Sequence, residues 1–164
     1  MSEAPATPTP VPGAPAYEIV RARTPAEIQQ CIDLRIAVFH TEQGFPLDTE
    51  VDAYDALPST AHFLLRLAST GAPAGTIRAT RPAGAPYYKL TRLAVHAAYR
   101  AHRLGAALAR HLHAWALADA RAAAGASARA EIVAHSQIPA MGFYAKYVLP
   151  PRPHRATPGM HVSR

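Results

Sequence analysis

The stretch Tyr87-Tyr88-Lys89-Leu90-Thr91-Arg92-Leu93-Ala94-Val95 runs through His96-Ala97-Ala98-Tyr99-Arg100-Ala101-His102-Arg103 into Leu104-Gly105-Ala106-Ala107-Leu108. Its first part reads as a strand and its last part opens a helix. Leu104, Leu108, Leu112 and Trp115 recur at helical spacing until Gly125. The first N–H groups of a helix have no internal partner and lie at the positive end of its dipole. Small residues there let an anion such as a phosphate approach the backbone. Gly105, Ala106 and Ala107 meet that need, and Arg100 and Arg103 add positive charge. Simple close packing of the helix is the competing reading of the same small residues.

Elements of both kinds flank this junction. Upstream, Tyr17 to Arg21 reads as a short strand. Thr24-Pro25-Ala26-Glu27 is a helix start, with Thr24 as cap, Pro25 in the first turn and Glu27 completing a capping box. The apolar residues that follow, Ile28, Ile32, Leu34, Ile36 and Val38, are not cleanly periodic, so the cap carries the helix to about Phe39. Residues 40–60 read as a loop. Ala61 to Ala68 and Ala74 to Thr80 flank Thr70-Gly71-Ala72-Pro73, a hairpin signal. Downstream, Glu131 to Ala134 reads as a buried strand, and Pro139 to Tyr147 as a short helix. The order β-α-loop-β-β-β-α-β-α predicts an α/β domain, α+β by stricter usage. Its sheet would be mixed and mostly antiparallel, with five or six strands flanked by helices.

A length of 164 residues suggests one domain, and a hydrophobic share of 49% allows a sizeable core. Residues 1–16 are Ala, Pro and Thr with a single charge, and read as a disordered tail. The domain is expected over 17–147, and 148–164 is a Pro- and Arg-rich tail of different character. The single cysteine, Cys31, forms no internal disulfide, which fits a reducing, cytoplasmic compartment. No apolar run approaches the ~20 residues that span a bilayer. No signal peptide or mitochondrial presequence is expected from the N-terminal composition.

The formal net charge is +6, but the charges are segregated. Ile36 to Leu65 holds five acids, Glu42, Asp48, Glu50, Asp52 and Asp55, and no Lys or Arg. Arg66 to Ala118 holds eight Lys and Arg residues and no acid. A polyanion would settle on the second stretch and a cation on the first.

Several motifs in order resemble the GNAT superfamily of N-acyltransferases. Tyr99-Arg100-x-x-Arg103-x-Gly105 is similar to its pyrophosphate loop, with Arg103 where the family has its first glycine. Phe143-Tyr144-x-Lys146 is similar to the Phe-Tyr-x-Lys of its last helix. The ElaA-type branch is the nearest in pattern. It shares Val38-Phe39-His40-Thr41-Glu42-Gln43-Gly44, then Glu50-Val51-Asp52-Ala53-Tyr54-Asp55 before His62, then Lys89 to Val95, then Ala134-His135-Ser136-Gln137. The resemblance covers residues 17–147. Beyond Tyr147 the family's two closing strands are not recognisable.

The resemblance implies acetyl-CoA as co-substrate and an amine, on a small molecule or a peptide, as acceptor. The backbone of Leu93, Ala94 and Val95 would pair with the pantetheine arm. Arg100, Ala101, His102, Arg103, Leu104, Gly105 and Ala106 would hold the pyrophosphate. Tyr144 would be the general acid for the departing thiolate, since a phenol of pKa ~10 can protonate the thiolate of a thiol of pKa ~8.5. Glu42, Glu50, Asp52, His62 and Gln137 would line the acceptor site. The general base stays open among Glu50, Asp52, His62, His135 and a bound water. No metal is expected, because His111 and His113 point to different sides of a helix. An acyl-CoA-binding domain impaired by its altered C-terminus is a second reading. A basic nucleic-acid-binding protein is a third, and it lacks interleaved aromatics and any motif. A homodimer is compatible with the sequence.

Overall fold

The computed structural model describes residues 12–134 together with Phe143 and Lys146. Five strands form one sheet in the order β1 (Tyr17–Ala22), β2 (Ala61–Leu67), β3 (Pro73–Thr80), β4 (Tyr87–Val95) and β5 (Glu131–Ala134). The first four pair antiparallel and β5 pairs parallel to β4. Helices α1 (Pro25–Arg35) and α2 (Leu104–Ala124) pack against it. This is the expected mixed, mostly antiparallel α+β architecture.

Local chemistry explains most boundaries. Thr24 Oγ1 accepts the Glu27 N–H at 3.2 Å, and Glu27 Oε2 accepts the Thr24 N–H at 3.1 Å, so the capping box closes. Gly71 turns the β2–β3 hairpin with φ +71°, which a side chain would resist. The buried stripe of α1 is Cys31, Leu34 and Arg35, and it runs on to Val38. That spacing is regular, but one of its members is an arginine, so apolar periodicity alone misses it. After Arg35 the chain widens into a π-helical segment, Ile36–Glu42. The stretch read as a loop also contains two short 3₁₀ turns, Leu47–Thr49 and Ala53–Ala56.

The main core lies between the sheet and α2, where Phe63, Leu65, Ile77 and Leu90 meet Leu104, Leu108 and Leu112. A Cβ on Gly75 would lie 2.8 Å from Leu108 Cδ1, so the glycine lets α2 settle close over β3. Trp115 is packed on Phe63 and Tyr88 and covered by the Arg21 guanidinium. Tyr88 donates to Asp119 Oδ2 at 2.6 Å, and burial with that bond pushes its phenol up to about 12. A smaller cluster of Ala22, Cys31 and Leu64 packs α1 against the sheet. The expected helix over 139–147 lies outside the described residues except for Phe143 and Lys146, which are helical.

Candidate functional site

The site begins with an irregularity in β4. Thr76 pairs with Ala94 and Arg78 pairs with Thr91, so Ile77 alone stands opposite both Arg92 and Leu93. This is a bulge, and Arg92 takes the left-handed conformation with φ +55° to make it. A bulge bends its strand and raises the local twist. On the other side, pairing with β5 is seen only from Tyr87–Glu131 to Leu90–Ala134 among the described residues. The C-terminal half of β4 therefore runs on as Leu93-Ala94-Val95 beyond the last described β5 partner.

The chain then makes a 3₁₀ turn, Ala97–His102, and enters α2 through Arg103 at φ +58°. Among the described residues no side chain caps α2. The Ala106 and Ala107 N–H groups both turn inward to Arg103 O, at 3.1 and 3.2 Å. The Leu104 and Gly105 N–H groups open α2, in the first turn, where a helix supplies no partner from within itself. A Cβ on Gly105 would lie 3.2 Å from Phe143 Cζ and 3.6 Å from Val95 Cγ2. Gly105 thus brings the helix start against the end of β4 and against the Phe143 ring. Leu104 is buried and anchors the turn in the core.

Arg100 is already engaged. Its Nε donates to Val95 O at 3.1 Å, and its two Nη atoms donate to the carboxylate of Glu42. The hydrogen bond from Arg100 holds Glu42 below the usual carboxylate range. Two residues expected to serve different ligands are thereby tied to each other.

The remaining acids meet arginines from the sheet and α1. Asp55 accepts Arg35 Nη1 at 2.7 Å and Nη2 at 3.1 Å, and also Arg78 Nη1 at 2.7 Å. Asp52 accepts Arg78 Nη1 at 2.7 Å and Nη2 at 2.8 Å. Arg92 Nη2 donates to Thr49 O at 2.6 Å and to Asp52 Oδ2 at 3.3 Å. Burial pushes Asp55 up, but the bonds from Arg35, the Asp52 N–H and Arg78 outweigh it and hold the carboxyl at about 2. Burial likewise opposes Arg78 in depressing Asp52, and Arg78 wins. The acidic and basic stretches, apart in sequence, neutralise each other in space.

Glu50 differs from its neighbours. It is 3% exposed and its Oε2 has no hydrogen-bond partner among the described residues. His62 is also buried, with Nε2 at 3.3 Å from Asp55 O, and burial pulls its pKa below the usual histidine value. It sits on β2, two strands from β4, and lines a cleft of about 370 Å³ with Arg21, Arg23 and Thr60.

A family model described as the Acetyltransferase (GNAT) family matches residues 28–148. The chain belongs to the GNAT acetyltransferase family. Among solved structures of this fold, it is similar to a protein from Lactobacillus plantarum provisionally described as an N-acetyltransferase. The two share 25% identity with a TM-score of 0.64, over 80% of this chain and 82% of that one. An acyl-CoA N-acyltransferase from Pseudomonas aeruginosa aligns at 22% identity and TM-score 0.63, over 80% and 87%. Escherichia coli ElaA aligns at 17% identity and TM-score 0.62, over 81% and 85%. Comparison with curated proteins gave no match.

In this GNAT domain the residues expected at the acyl-CoA come together. Leu93, Ala94 and Val95 end β4, and Leu104, Gly105 and Ala106 begin α2 beside them. Ala101 and His102 lie in the turn between. Glu42 meets Arg100, Asp52 meets Arg78 and Arg92, Glu50 follows Thr49, whose carbonyl Arg92 holds, and His62 touches Asp55, which shares Arg78 with Asp52. Tyr144 and Gln137, together with His135, fall outside the described residues. Sequence reasoning missed Arg35, Arg78 and Arg92, which organise the acids. The left-handed turn at Arg92 had no sequence signal, because no glycine marks it. Among the described residues no three His, Cys, Asp or Glu side chains gather as a metal site, and no helix is long and apolar enough to cross a membrane.

Proposed function

We propose that the protein transfers the acetyl group of acetyl-CoA to a primary amine. The observation that carries this reading is the bulged end of β4, running beyond its last described β5 partner, beside the first turn of α2 at Leu104 and Gly105, where no side chain among the described residues caps the helix. In this reading the backbone of Leu93, Ala94 and Val95 pairs with the amide groups of the pantetheine arm. The turn and helix start, Arg100 to Ala106, hold the pyrophosphate. The N–H groups of Leu104 and Gly105 supply donors at the positive end of the helix. Arg100 acts on the phosphates mainly by fixing the turn, since its Nε and one N–H on each Nη are engaged by Val95 O and Glu42.

The amine attacks the thioester carbonyl, a C–N bond forms, and the C–S bond breaks as the thiolate leaves. A backbone N–H near Val95 stabilises the tetrahedral oxyanion. Tyr144 gives its proton to the thiolate, and the proton lost by the amine restores the balance. Glu42, Glu50, Asp52, His62 and Gln137 are the acceptor-side residues of this reading. Glu42 and Asp52 serve there through the arginines they hold.

Thiol release from acetyl-CoA, measured against a panel of primary amines, tests the proposal. Amine-dependent release, with the acetylated amine seen by mass spectrometry, is the expected result. Release that is the same with and without every amine would refute it.

A further inference from the structure

We infer that Arg92 is a positioning residue for the proposed transfer. Through Thr49 and Asp52 it holds the β4 bulge in its left-handed form, and so sets how Leu93, Ala94 and Val95 meet the acyl-CoA. The inference rests on the acyl-CoA reading of the end of β4 given above.

The backbone comes first. Among the described residues, only Arg92 and Arg103 combine a side chain with a positive φ, at +55° and +58°. Every other left-handed position among them is a glycine. A Cβ makes that conformation unfavourable, whereas a glycine takes it freely. An arginine stays there only where its surroundings hold it. Arg92 bears a second cost, since its Nε is buried without a partner among the described residues.

What the side chain gains is a pair of bonds to the segment before β2. Arg92 Nη2 donates to Thr49 O at 2.6 Å and to Asp52 Oδ2 at 3.3 Å. Asp52 is itself fixed, because its carboxylate accepts Arg78 Nη1 at 2.7 Å and Nη2 at 2.8 Å. Arg78 Nε in turn donates to Thr91 Oγ1 at 3.0 Å. Arg78 and Thr91 are the paired residues that bound the bulge on one side. The ring of Arg92, Asp52, Arg78 and Thr91 therefore closes on the bulge from both strands. The β3 residue opposite the bulge is Ile77, fully buried in the main core. With β3 anchored there, a relaxing bulge is taken up by β4.

The consequence falls on the next three residues. Beyond the bulge β4 re-enters the ladder at Thr76–Ala94, and the bulge decides the bend and twist with which it does so. In the proposed reaction this stretch pairs with the pantetheine arm, and a backbone N–H near Val95 meets the oxyanion. A misplacement of about 1 Å at reacting groups costs on the order of a hundredfold in rate. Arg92 touches no reacting atom in this reading and acts through the backbone alone.

Two variants separate the backbone from the side chain. Arg92→Ala removes both bonds and keeps the Cβ, while Arg92→Gly removes both and accepts the left-handed conformation unaided. Thiol release from acetyl-CoA is measured with the best primary amine of the panel, well below the melting temperature of each protein. In Arg92→Ala, kcat/KM for acetyl-CoA should fall about ten- to a hundredfold, and in Arg92→Gly it should return to within about threefold of wild type. A role confined to stability would lower the melting temperature and leave kcat/KM unchanged. Wild-type kcat/KM in Arg92→Ala, or equal losses in the two variants, would overturn the inference. If Arg92→Ala does not fold, Arg92→Asn takes its place, since asparagine keeps a Cβ and tolerates the left-handed region better. A value below that of Arg92→Gly then supports the inference, and an equal or higher one overturns it. If wild type releases no thiol with any amine, the transfer reading fails, and calorimetric titration of acetyl-CoA decides the role of Arg92 separately. Binding weakened in Arg92→Ala and recovered in Arg92→Gly supports it. Equal affinity in the two variants, or no binding in wild type, overturns it.

Discussion

Gly105 carries two roles that one residue type satisfies for different reasons. Its missing Cβ lets the helix start sit against Phe143 and Val95, and its N–H lies in the first turn of α2, where a helix supplies no partner of its own. Packing and anion binding can be separated by substitution. Gly105→Ala adds a methyl 3.2 Å from the tip of the Phe143 ring, a tight contact that a small ring shift relieves. It should cost about 1 kcal/mol or less in stability, since helical Ala is favoured over Gly and offsets the strain. Gly105→Glu adds a like charge and bulk at the helix N-terminus, and should abolish acetyl-CoA binding. Calorimetric titration and thermal melting of both variants check this. Wild-type affinity in Gly105→Glu would show that the phosphates bind elsewhere. The sequence displayed Gly105 and its basic surroundings plainly, because helix starts obey local rules. It did not show that Phe143, far along the chain, would pack on that glycine. It also could not show that Glu50 would be buried with its Oε2 lacking a hydrogen-bond partner among the described residues. Which acid finds which arginine is decided by tertiary placement.

At the scale of elements, strands and caps were legible and the irregular connections were not. The Thr24–Glu27 box and the Gly71 turn are local chemistry, so α1 and the β2–β3 hairpin stand where the sequence puts them. The π-helical segment after Arg35, the 3₁₀ turns and the bulge at Arg92 arise from contacts between distant residues. One of those contacts joins two elements directly. Glu42, at the end of the π-helical segment, grips Arg100 in the turn before α2. Both side chains are well exposed, so the pair adds little to global stability. Its effect should be on the geometry of the turn. If Arg100 acts by fixing that turn, Glu42→Gln and Arg100→Ala both loosen it. Both should then weaken acetyl-CoA binding modestly, by roughly threefold, under ~1 kcal/mol. If Arg100 instead contacts the phosphates, Glu42→Gln frees it and tightens binding. The sign of the Glu42→Gln change in a titration therefore distinguishes a clamp from a direct contact.

At the scale of the whole molecule, the charge network joins α1, the 3₁₀ turns, β3 and β4 through Arg35, Asp55, Arg78, Asp52 and Arg92. Such a network makes stability depend on pH in a definite direction. Asp55 is held at about 2, against an ordinary value near 3.8. A depressed carboxyl stabilises the fold fully above its unfolded pKa and loses that contribution as pH falls toward its folded pKa. The Asp55 contribution should therefore be intact at pH 5 and fade between about pH 4 and pH 2. Its size is roughly 2 kcal/mol, a few degrees of melting temperature for a chain of this length. His62 acts with the same sign at higher pH. Burial holds its pKa below the ordinary histidine value, so the unfolded chain takes up its proton first. Its share of stability begins to fade below about pH 6.5. Melting temperature should thus fall in two stages on acidification from pH 8. Asp55→Asn should lower stability at neutral pH by about 3–5 kcal/mol, because it leaves the buried Arg35 guanidinium without its carboxylate. The same variant should flatten the lower stage and leave the upper one, while His62→Gln should reduce only the upper stage, which His111 and His113, also held low by burial, share. Thermal melts of the three proteins across that range check the assignment. An Asp55→Asn profile parallel to wild type below pH 4 would mean that other carboxylates carry the acid sensitivity.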